Sequence, residues 1–496
     1  MTDTATFIEQ HDLWTDDQVR LAAQVQRRVE ADGLSLIRLV WADPHGVSRA
    51  KTVSVPVFLT TLQDGYNINV ATTTLDAAGG RIFASFTEGG GMGLPEMTGS
   101  PNLIIVPDPA TFRALPWAPG VGWILCDQYF VDGRPFHFAP REILRKQLQR
   151  LAETDTALVV GLEIEWYLAR LEEDRLVDPN IAEPGMRAAP LETSPMEPGF
   201  SYHSETTFDV MQPVISELAE IYEKLNLPLR SFENEWGPGQ LECTFSAGDA
   251  MKVADDYVLF RTATRQICRR LGFMASFMCR PKLKGHYASG WHLHQSLVHC
   301  GTGDNILMPG AGDTLLSGFG RSYLAGLLHH AAPSAIFAVP TINGYRRFRP
   351  NSLAPDRATW AHDHRGTMVR VLGGPGDHNS RLENRLGEPA ANPYLYFASQ
   401  VVAGLNGVAQ NASPGEGDLA PYAADRPKLP ASLEEAHGAL NASKLFRAEF
   451  GDLFVNYFLA LKQSEINRFR EQHPDADATA TGDVTDWEQN EYFDFF

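Results

Sequence analysis

The sequence GLEIEWYL, residues 161–168, continues the apolar run ALVV at 157–160 and places Glu163 and Glu165 one residue apart. In a β-strand alternate side chains share a face, so both glutamates are expected to point the same way. A strand this apolar is expected to be buried on at least one side, where two like charges are unfavourable unless a cation neutralises them. Two interpretations follow: an edge strand with a solvated face, or a site for a hard divalent metal.

The composition excludes several function classes. The 496 residues are 44% hydrophobic and 21% charged, as is ordinary for a globular protein, and the formal net charge is −19. This excess of negative charge argues against sequence-independent nucleic-acid binding and against anionic membrane surfaces. The five cysteines form no CxxC pair, which predicts reduced thiols in a cytoplasmic protein. We expect neither a signal peptide nor a membrane span.

The chain is predicted to form two domains, 1–115 and 116–496, with the boundary ahead of the Pro- and Gly-rich segment PWAPGVGW. The first domain is expected to be β-rich, with a hairpin around the turn Asp43–Gly46. The second is expected to begin with a strand at 122–129. Segment 172–204 is predicted to be a surface excursion and segment 473–484 to be mobile. Helical patterns cover 17–33, 140–153, 208–225, 248–271, 313–332 and much of 432–472.

Paired polar groups recur in apolar sequence at three further places. His292 and His294 are one residue apart, as are Glu383 and Arg385, and Glu235 lies near Glu242 across Trp-Gly-Pro-Gly-Gln. Five glutamates and one histidine suit two oxygen-rich sites for Mg²⁺ or Mn²⁺, whereas Zn²⁺ favours more histidine and cysteine. The two histidines taken alone are also compatible with a satisfied core pair.

A set of arginines complements these carboxylates. Planar guanidinium groups bind carboxylate and phosphate with two parallel hydrogen bonds. Two metals and several arginines are what the transfer of a phosphoryl group to a carboxylate requires. The alternative for each arginine is a surface ion pair, which we favour for Arg346 and Arg349. The candidate set is Arg347, Arg365, Arg370, Arg381 and Arg385.

Five motifs, GLEIEWYL, ENEWGPGQLE, SGWHLHQSL, NGYRRF and RLENRLGEPAANPYL, occur in the order and spacing of the glutamine synthetase family, which the chain resembles from about residue 20 to its C-terminal DWEQNEY. The resemblance implies an α+β fold. It joins a β-grasp-like N-terminal domain to a catalytic domain with a curved antiparallel sheet flanked by helices. It also implies a homo-oligomer of six-subunit rings, stacked as a dodecamer, with active sites between neighbouring subunits.

The resemblance also implies a role for each candidate residue. Glu165, Glu235 and Glu242 would bind the metal nearer glutamate, and Glu163, His292 and Glu383 the metal on the ATP phosphates. Arg347 and Arg385 would hold glutamate, Arg365 would face the transferring phosphoryl group, and Asp76 would reach a neighbouring subunit to deprotonate ammonium. The nucleotide would contact His294, Ser296, Arg370 and Arg381.

The chain departs from the ammonia-using members where they carry PGYEAP. Here the segment is PNSLAP, residues 350–355, so Leu353 (or Ser352, if the register slips) replaces a glutamate that closes the site over ammonium. Loss of that carboxylate weakens cation binding and leaves apolar surface. Tyr287 and Trp291 beside the glutamate pocket would suit a larger, flatter partner, although both could be packing residues.

These features predict an ATP-dependent ligase that joins the γ-carboxylate of L-glutamate to an amine through γ-glutamyl phosphate. The branches with such an altered site resemble γ-glutamyl-polyamine, -ethanolamine, -alkylamide and -anilide synthetases. An arylamine is neutral at pH 7 and needs no carboxylate, so the sequence favours an aromatic or hydrophobic amine. The alternatives are glutamine synthetase using ammonia, a polyamine or ethanolamine ligase, and a catalytically silent relative, which would be expected to lose metal ligands.

Overall fold

The chain folds around two β-sheets, which the computed structural model describes over residues 5–172, 182–310 and 315–496. The first sheet has six strands in the order β2–β1–β6–β4–β3, with β5 paired to β6. Strands β1 and β6 run parallel, and the other pairs are antiparallel. The strands are β1 Leu36–Ala42, β2 Ser48–Ser54, β3 Tyr66–Asn69, β4 Asn102–Pro107, β5 Arg113–Ala114 and β6 Val121–Tyr129.

The predicted hairpin joins β1 to β2. The Asp43 backbone N–H donates to the Val47 carbonyl, and the Gly46 N–H donates to the Asp43 carbonyl. Gly46 adopts a φ of +73°, a left-handed conformation that glycine takes without steric cost. The Asp43 carboxylate accepts the N–H groups of His45 and Val47, so the turn is fixed by its own side chain.

Strand β6 corrects one expectation. Val121–Tyr129 does not open the second domain, because it pairs with β1 and β4 within the first sheet. The Pro- and Gly-rich segment before it is a tight turn between β5 and β6, in which the Leu115 N–H donates to the Val121 carbonyl. Local composition does not distinguish such a turn from a linker. We therefore propose a domain boundary after Tyr129 rather than near residue 115.

The second sheet has ten strands and carries the central run of the sequence. Its order is β14–β15–β16–β13–β7–β10–β9, with β8, β11 and β12 also paired to β7. All pairs are antiparallel except β14 with β15, so the predicted antiparallel sheet is confirmed. The strands are β7 Thr156–Leu171, β8 Thr193–Pro195, β9 Leu229–Asn234, β10 Gln240–Phe245, β11 Gly248–Asp249, β12 Phe273–Ser276, β13 Trp291–His299, β14 Trp360–His362, β15 Val369–Leu372 and β16 Arg381–Gly387.

Helices cover one face of the second sheet, since α4 and α7 pack against β7 and α10 packs against both helices. Among the described residues no helix is both long and apolar enough to cross a membrane. The helical predictions agree with the structure, except that residues 313 and 314 lie outside the described ranges, as does 173–181 of the predicted excursion. The helices are α1 Phe7–Gln10, α2 Asp16–Ala31, α3 Val55–Asp64, α4 Pro140–Ala152, α5 Glu205–Phe208, α6 Gln212–Lys224, α7 Ala250–Arg270, α8 Gly318–His329, α9 Ala331–Ala338, α10 Pro393–Ala409, α11 Leu433–Ala442, α12 Lys444–Phe450, α13 Asp452–Gln472 and α14 Asp486–Tyr492.

The C-terminal segments pack against two arginines that were expected at the surface. Arg346 and Glu488 of α14 form an ion pair of 2.7 Å in which neither side chain is exposed. Arg346 also donates to the Thr479 carbonyl, and the half-buried Arg349 donates to the Ala480 carbonyl. Segment 473–484 is therefore docked onto the segment that carries Arg346 and Arg349, contrary to the expectation of a mobile tail.

Candidate active site

The candidate metal ligands lie on one face of neighbouring strands of the second sheet. Glu163 of β7 stands opposite His292 of β13, and Glu165 stands opposite Glu242 of β10. Strand β7 lies between β10 and β13, so its two glutamates are not on an edge strand. The sheet also brings in Glu235, one residue after β9, and Glu383 on β16.

Glu163 is at the centre of the cluster. Its carboxylate contacts Nδ1 of His292 at 2.5 Å and Nε2 of His294 at 3.0 Å. Its ligand atoms lie within 4.8 Å of those of Glu242 and His292, and in a second group within 4.8 Å of those of His294 and Glu383. His294, predicted at the nucleotide, is therefore also near the metal ligands.

Three of the glutamates have raised pKa values, so their ionised forms are disfavoured. Burial, opposed by Arg347, raises the pKa of Glu165 to about 7. Burial together with Glu165 and Glu233 raises the pKa of Glu235 to about 8. Burial and the carboxylates of Glu163, Glu165 and Glu235 raise the pKa of Glu242 to about 11. Without a cation, Glu235 and Glu242 favour their neutral forms at pH 7, and Glu165 is close to half protonated.

The opposite shift occurs where positive side chains lie close. Burial alone would raise the pKa of Glu163, but His292 and His294 hold it well below its usual range. Burial would also raise the pKa of Glu383, but Arg385 and His292 outweigh it, so the pKa is lowered. The site thus contains Glu165, Glu235 and Glu242, whose negative charges are unfavourable, beside Glu163 and Glu383, whose charges are stabilised by nearby histidine and arginine side chains.

This donor set fits divalent cations. Carboxylate oxygens with one or two imidazole nitrogens are hard ligands of the kind Mg²⁺ and Mn²⁺ accept. A bound cation also counteracts the burial and the repulsion that raise the pKa of Glu165, Glu235 and Glu242, because it favours the ionised carboxylates.

Arg347 and Arg385 lie directly beside these ligands. Arg347 is buried, and its Nη1 donates to the carbonyls of Leu386 and Gly387 at 3.1 Å. A Cβ at Gly290 would lie 2.6 Å from Nη2 of Arg347 and 3.2 Å from Nε2 of His292. Glycine at 290 therefore allows the guanidinium to approach the candidate metal histidine. Arg385 contacts Glu383 and donates to the Leu353 carbonyl.

A groove of about 830 Å³ adjoins Glu163 and contains three of the four predicted nucleotide residues, His294, Ser296 and Arg381. The Nε of Arg381 lies 3.1 Å from Nδ1 of His294. Arg370 does not line the groove and instead bridges Glu383 at 3.0 Å and Asp363. Arg365, which is predicted to face the transferring phosphoryl group, is exposed. Its side chain is therefore accessible to a bound phosphate.

Asp76 is engaged within its own chain. It is 1% exposed, and its carboxylate lies 2.9 Å from Nε of Arg468 and 2.9 Å from Oγ of Ser464. The backbone N–H groups of Ala78 and Gly80 donate to its other oxygen. These contacts hold the carboxylate in place within the chain; its role as a base in a neighbouring subunit stays a prediction.

The predicted acceptor-side residues separate into two groups. Tyr287 is 37% exposed and Leu353 is 49% exposed, with Leu353 at a φ of +59°. Trp291 is fully buried and stacks on Tyr257 of α7 with ring centroids 4.3 Å apart. The expectation that Trp291 borders the pocket is wrong, because alternate residues of β13 face opposite sides and Trp291 faces the helices.

Sequence reasoning did not select three further residues beside the ligands. Glu233 stands opposite Glu242 in the ladder between β9 and β10 and lines the groove. Its spacing from Glu235 repeats the i, i+2 pattern and could have identified it. Tyr202 and Trp236 form a stacked pair near Glu235. Their contact joins segments 34 residues apart, and no local signal predicts it.

Comparison with known proteins identifies the family. The profile of the glutamine synthetase catalytic domain matches residues 137–480. The chain is 42% identical over 498 residues to γ-glutamylanilide synthase of Acinetobacter sp., an alignment that covers 99% of each protein. The chain belongs to the glutamine synthetase family.

Two further matches have lower sequence identity. The chain is 32% identical to the γ-glutamylethanolamide synthetase GlnA4 of Streptomyces coelicolor, over 78% of each protein. Among solved structures it is similar to GmaS without ligand, with a TM-score of 0.75, 26% identity and coverage of 94% of this chain and 98% of GmaS. These matches confirm the glutamine-synthetase-type fold that the motifs predict.

Proposed function

We propose that this protein is an ATP-dependent ligase that joins the γ-carboxylate of L-glutamate to an amine other than ammonia, with release of ADP and phosphate. The observation that carries the proposal is the convergence of Glu163, Glu165, Glu242 and His292 on one sheet face, beside Arg347. All six candidate ligand positions are present, which argues against a catalytically silent relative. Relatives that carry the names of γ-glutamylamide ligases support the reaction class.

The chain's own side chains can position both carboxyl groups of glutamate. Arg347 and Arg385 offer guanidinium groups next to the ligand cluster, and buried guanidinium groups hold carboxylates with defined geometry. Such positioning brings a γ-carboxylate oxygen toward the terminal phosphorus of ATP in the adjoining groove, where Arg365 can neutralise the transferred group. The carboxylate oxygen forms the new P–O bond as the bond to ADP breaks, giving γ-glutamyl phosphate.

Two sets of ligands would each hold a divalent cation. These cations would neutralise charge on the ATP phosphates and on the transferring phosphoryl group. We assign Glu165, Glu235 and Glu242 to one ion and Glu163, His292 and Glu383 to the other, with Mg²⁺ or Mn²⁺ as the expected metals. His294, Ser296 and Arg381 would contact the nucleotide in the groove, and Arg370 would hold Glu383 in place.

The acceptor nitrogen then attacks the γ-carbonyl carbon, the C–O bond to phosphate breaks, and the nitrogen releases a proton. An alkylammonium or ammonium ion must first be deprotonated, whereas an arylamine already carries its lone pair at pH 7. The segment 350–355 has Leu353 in place of an acid, and the next acid, Asp356, lies 3.3 Å from Arg357. These features favour an aromatic or otherwise hydrophobic amine over a polyamine.

We further propose the family's assembly and location for this protein. Six-subunit rings stacked as a dodecamer would place an active site at each contact between neighbours, with Asp76 as the cross-subunit residue. Five cysteines that form no disulfide support a cytoplasmic location.

The proposal is tested by steady-state kinetics with one enzyme preparation and four acceptors, namely aniline, ethylamine, putrescine and ammonium. We expect kcat/KM to be highest for aniline or ethylamine, with the γ-glutamylamide identified by mass spectrometry. A preference for ammonium by a wide margin would assign glutamine synthetase activity instead, and a preference for putrescine would assign a polyamine ligase.

A further inference from the structure

Two aromatic side chains lie stacked and exposed at the edge of the ligand cluster. The rings of Tyr202 and Trp236 are 4.8 Å apart between centroids and inclined by only 5°. Tyr202 is 47% exposed and Trp236 is 38% exposed. Large aromatic surface left in water forgoes the free energy of burial. A stacked pair with free surface is therefore suited to receive another flat, apolar group.

We propose that the Tyr202–Trp236 pair is the platform on which the ring of an aromatic acceptor amine stacks, and that it determines the selectivity for such amines. This inference rests on the proposed ligase function and adds the residues that would select the acceptor.

The platform lies beside the proposed catalytic groups. Trp236 directly follows Glu235, a candidate ligand of the metal nearer glutamate. Partial burial, Glu235 and Glu242 raise the pKa of the Tyr202 phenol, and Arg365 offsets part of this rise. The phenol is thus within electrostatic range both of the carboxylate cluster and of the arginine assigned to the phosphoryl group. An amine bound by its ring at this place would have its nitrogen near the activated carboxyl group.

Backbone hydrogen bonds hold the platform in a fixed position. The Phe200 N–H donates to the Trp236 carbonyl at 2.7 Å, and the His203 N–H donates to the Asn234 carbonyl at 3.1 Å. The side chain of Asn234 also donates to the Ser201 carbonyl at 2.8 Å. These bonds align segment 200–203 with the end of β9. The rings are therefore arranged before any ligand arrives, which lowers the entropic cost of binding.

Tyr287 approaches the same place through a shared anchor. The hydroxyl of Tyr167 donates to the Tyr287 carbonyl and accepts from the Tyr287 N–H, both at 2.7 Å. A Cβ at Gly237 would lie 2.1 Å from that hydroxyl oxygen. The turn after Trp236 and the half-exposed Tyr287 therefore meet at Tyr167, so the acceptor side has three accessible aromatic side chains.

The test compares aniline with ethylamine on purified full-length variants, because ethylamine has no ring to stack. For Trp236→Leu we expect kcat/KM to fall on the order of tenfold more for aniline than for ethylamine, the range of one aromatic contact. Tyr202→Leu should change the ratio in the same direction, and Trp236→Phe should restore most of it. Phe273→Leu is the matched control, because Phe273 of β12 pairs with Arg170 of β7, five residues beyond Glu165, and it should leave the ratio at its wild-type value.

Several results would contradict the proposal that Tyr202 and Trp236 bind the ring of the acceptor amine. One is an equal loss for both amines, which would show that Trp236 acts only by supporting Glu235. Another is an unchanged ratio in an enzyme that makes the anilide well. A third is a smaller assembly of the Trp236→Leu or Tyr202→Leu variant on size-exclusion chromatography. That result would assign the two aromatic side chains to a contact between subunits. If wild-type enzyme forms amides but no anilide, the aromatic acceptor itself is wrong, and this outcome is distinct from an unchanged ratio.

Discussion

The burial of the clustered glutamates, together with their mutual repulsion, should be measurable as a pH-dependent loss of stability in the metal-free protein. Glu165 has its pKa raised to about 7 from an ordinary value of 4.5. Between these values the folded protein holds a proton that the unfolded chain has released, so stability falls as pH rises across this window. At about 1.4 kcal/mol per pKa unit, the loss from Glu165 is roughly 3 kcal/mol above pH 7. Below pH 4.5 this loss is absent.

The perturbation is Glu165→Gln, which keeps the shape of the side chain and its oxygen acceptor for Gln240. In EDTA the thermal midpoint of wild type should fall relative to that of the variant between pH 5 and pH 8, by a few degrees for a chain of this size. Magnesium should restore wild type most at pH 8 and the variant much less, because bound cation favours the ionised carboxylates. Differential scanning fluorimetry at fixed protein concentration measures both effects.

The matched control is Glu217→Gln, an exposed glutamate of α6. It should follow wild type at every pH, since it removes one negative charge without touching the cluster. The reasoning would be refuted if wild type and Glu165→Gln kept parallel midpoints from pH 5 to pH 8 in EDTA. Equal stabilisation of both proteins by magnesium would refute the metal assignment as well.

Three further predictions concern other parts of the chain. Arg347→Lys should lower kcat/KM for glutamate about 10- to 100-fold with little change in KM for ATP, because lysine cannot make a bidentate contact. Leu353→Glu should raise kcat/KM for ammonium about tenfold, as expected for one added carboxylate near a cation; an unchanged value would show that this position does not face the acceptor. Gly326→Ala should destabilise the packing of α8 on α10 by about 1–3 kcal/mol, since its Cβ would lie 2.1 Å from the Ala403 carbonyl oxygen. Gly438→Ala, in a helix with open space around it, is the control for that melting experiment and should be neutral or stabilising.

Alternation along one strand was enough to predict the arrangement of the first two ligands. Glu163 and Glu165 share a face because β7 is extended, and the structure pairs them with His292 and Glu242. The partner strands themselves could not be derived from periodicity, because His292 is 129 residues from Glu163. The order of the family motifs supplied that information. The same alternation, applied to Trp291, would have placed it on the face opposite His292.

Other errors arose where a distant partner determines burial. Arg346 lies in an arginine-rich segment that local composition assigns to the surface, but Glu488, 142 residues away, pairs with it in the interior. The strand expected at 122–129 is present, but it was expected to open the second domain and instead pairs with β1 and β4, since local propensity does not encode pairing. The Tyr202–Trp236 stack is likewise set by packing between segments.

The most direct test of the central claim follows the oxygen atoms of the γ-carboxylate. Glutamate labelled with ¹⁸O at both γ-oxygens is incubated with enzyme, ATP, Mg²⁺ and aniline or ethylamine, and the phosphate and amide are analysed by mass spectrometry. Passage through γ-glutamyl phosphate predicts one labelled oxygen in each phosphate released and the other in the amide. Phosphate without label, at a rate matching amide formation, would contradict the account.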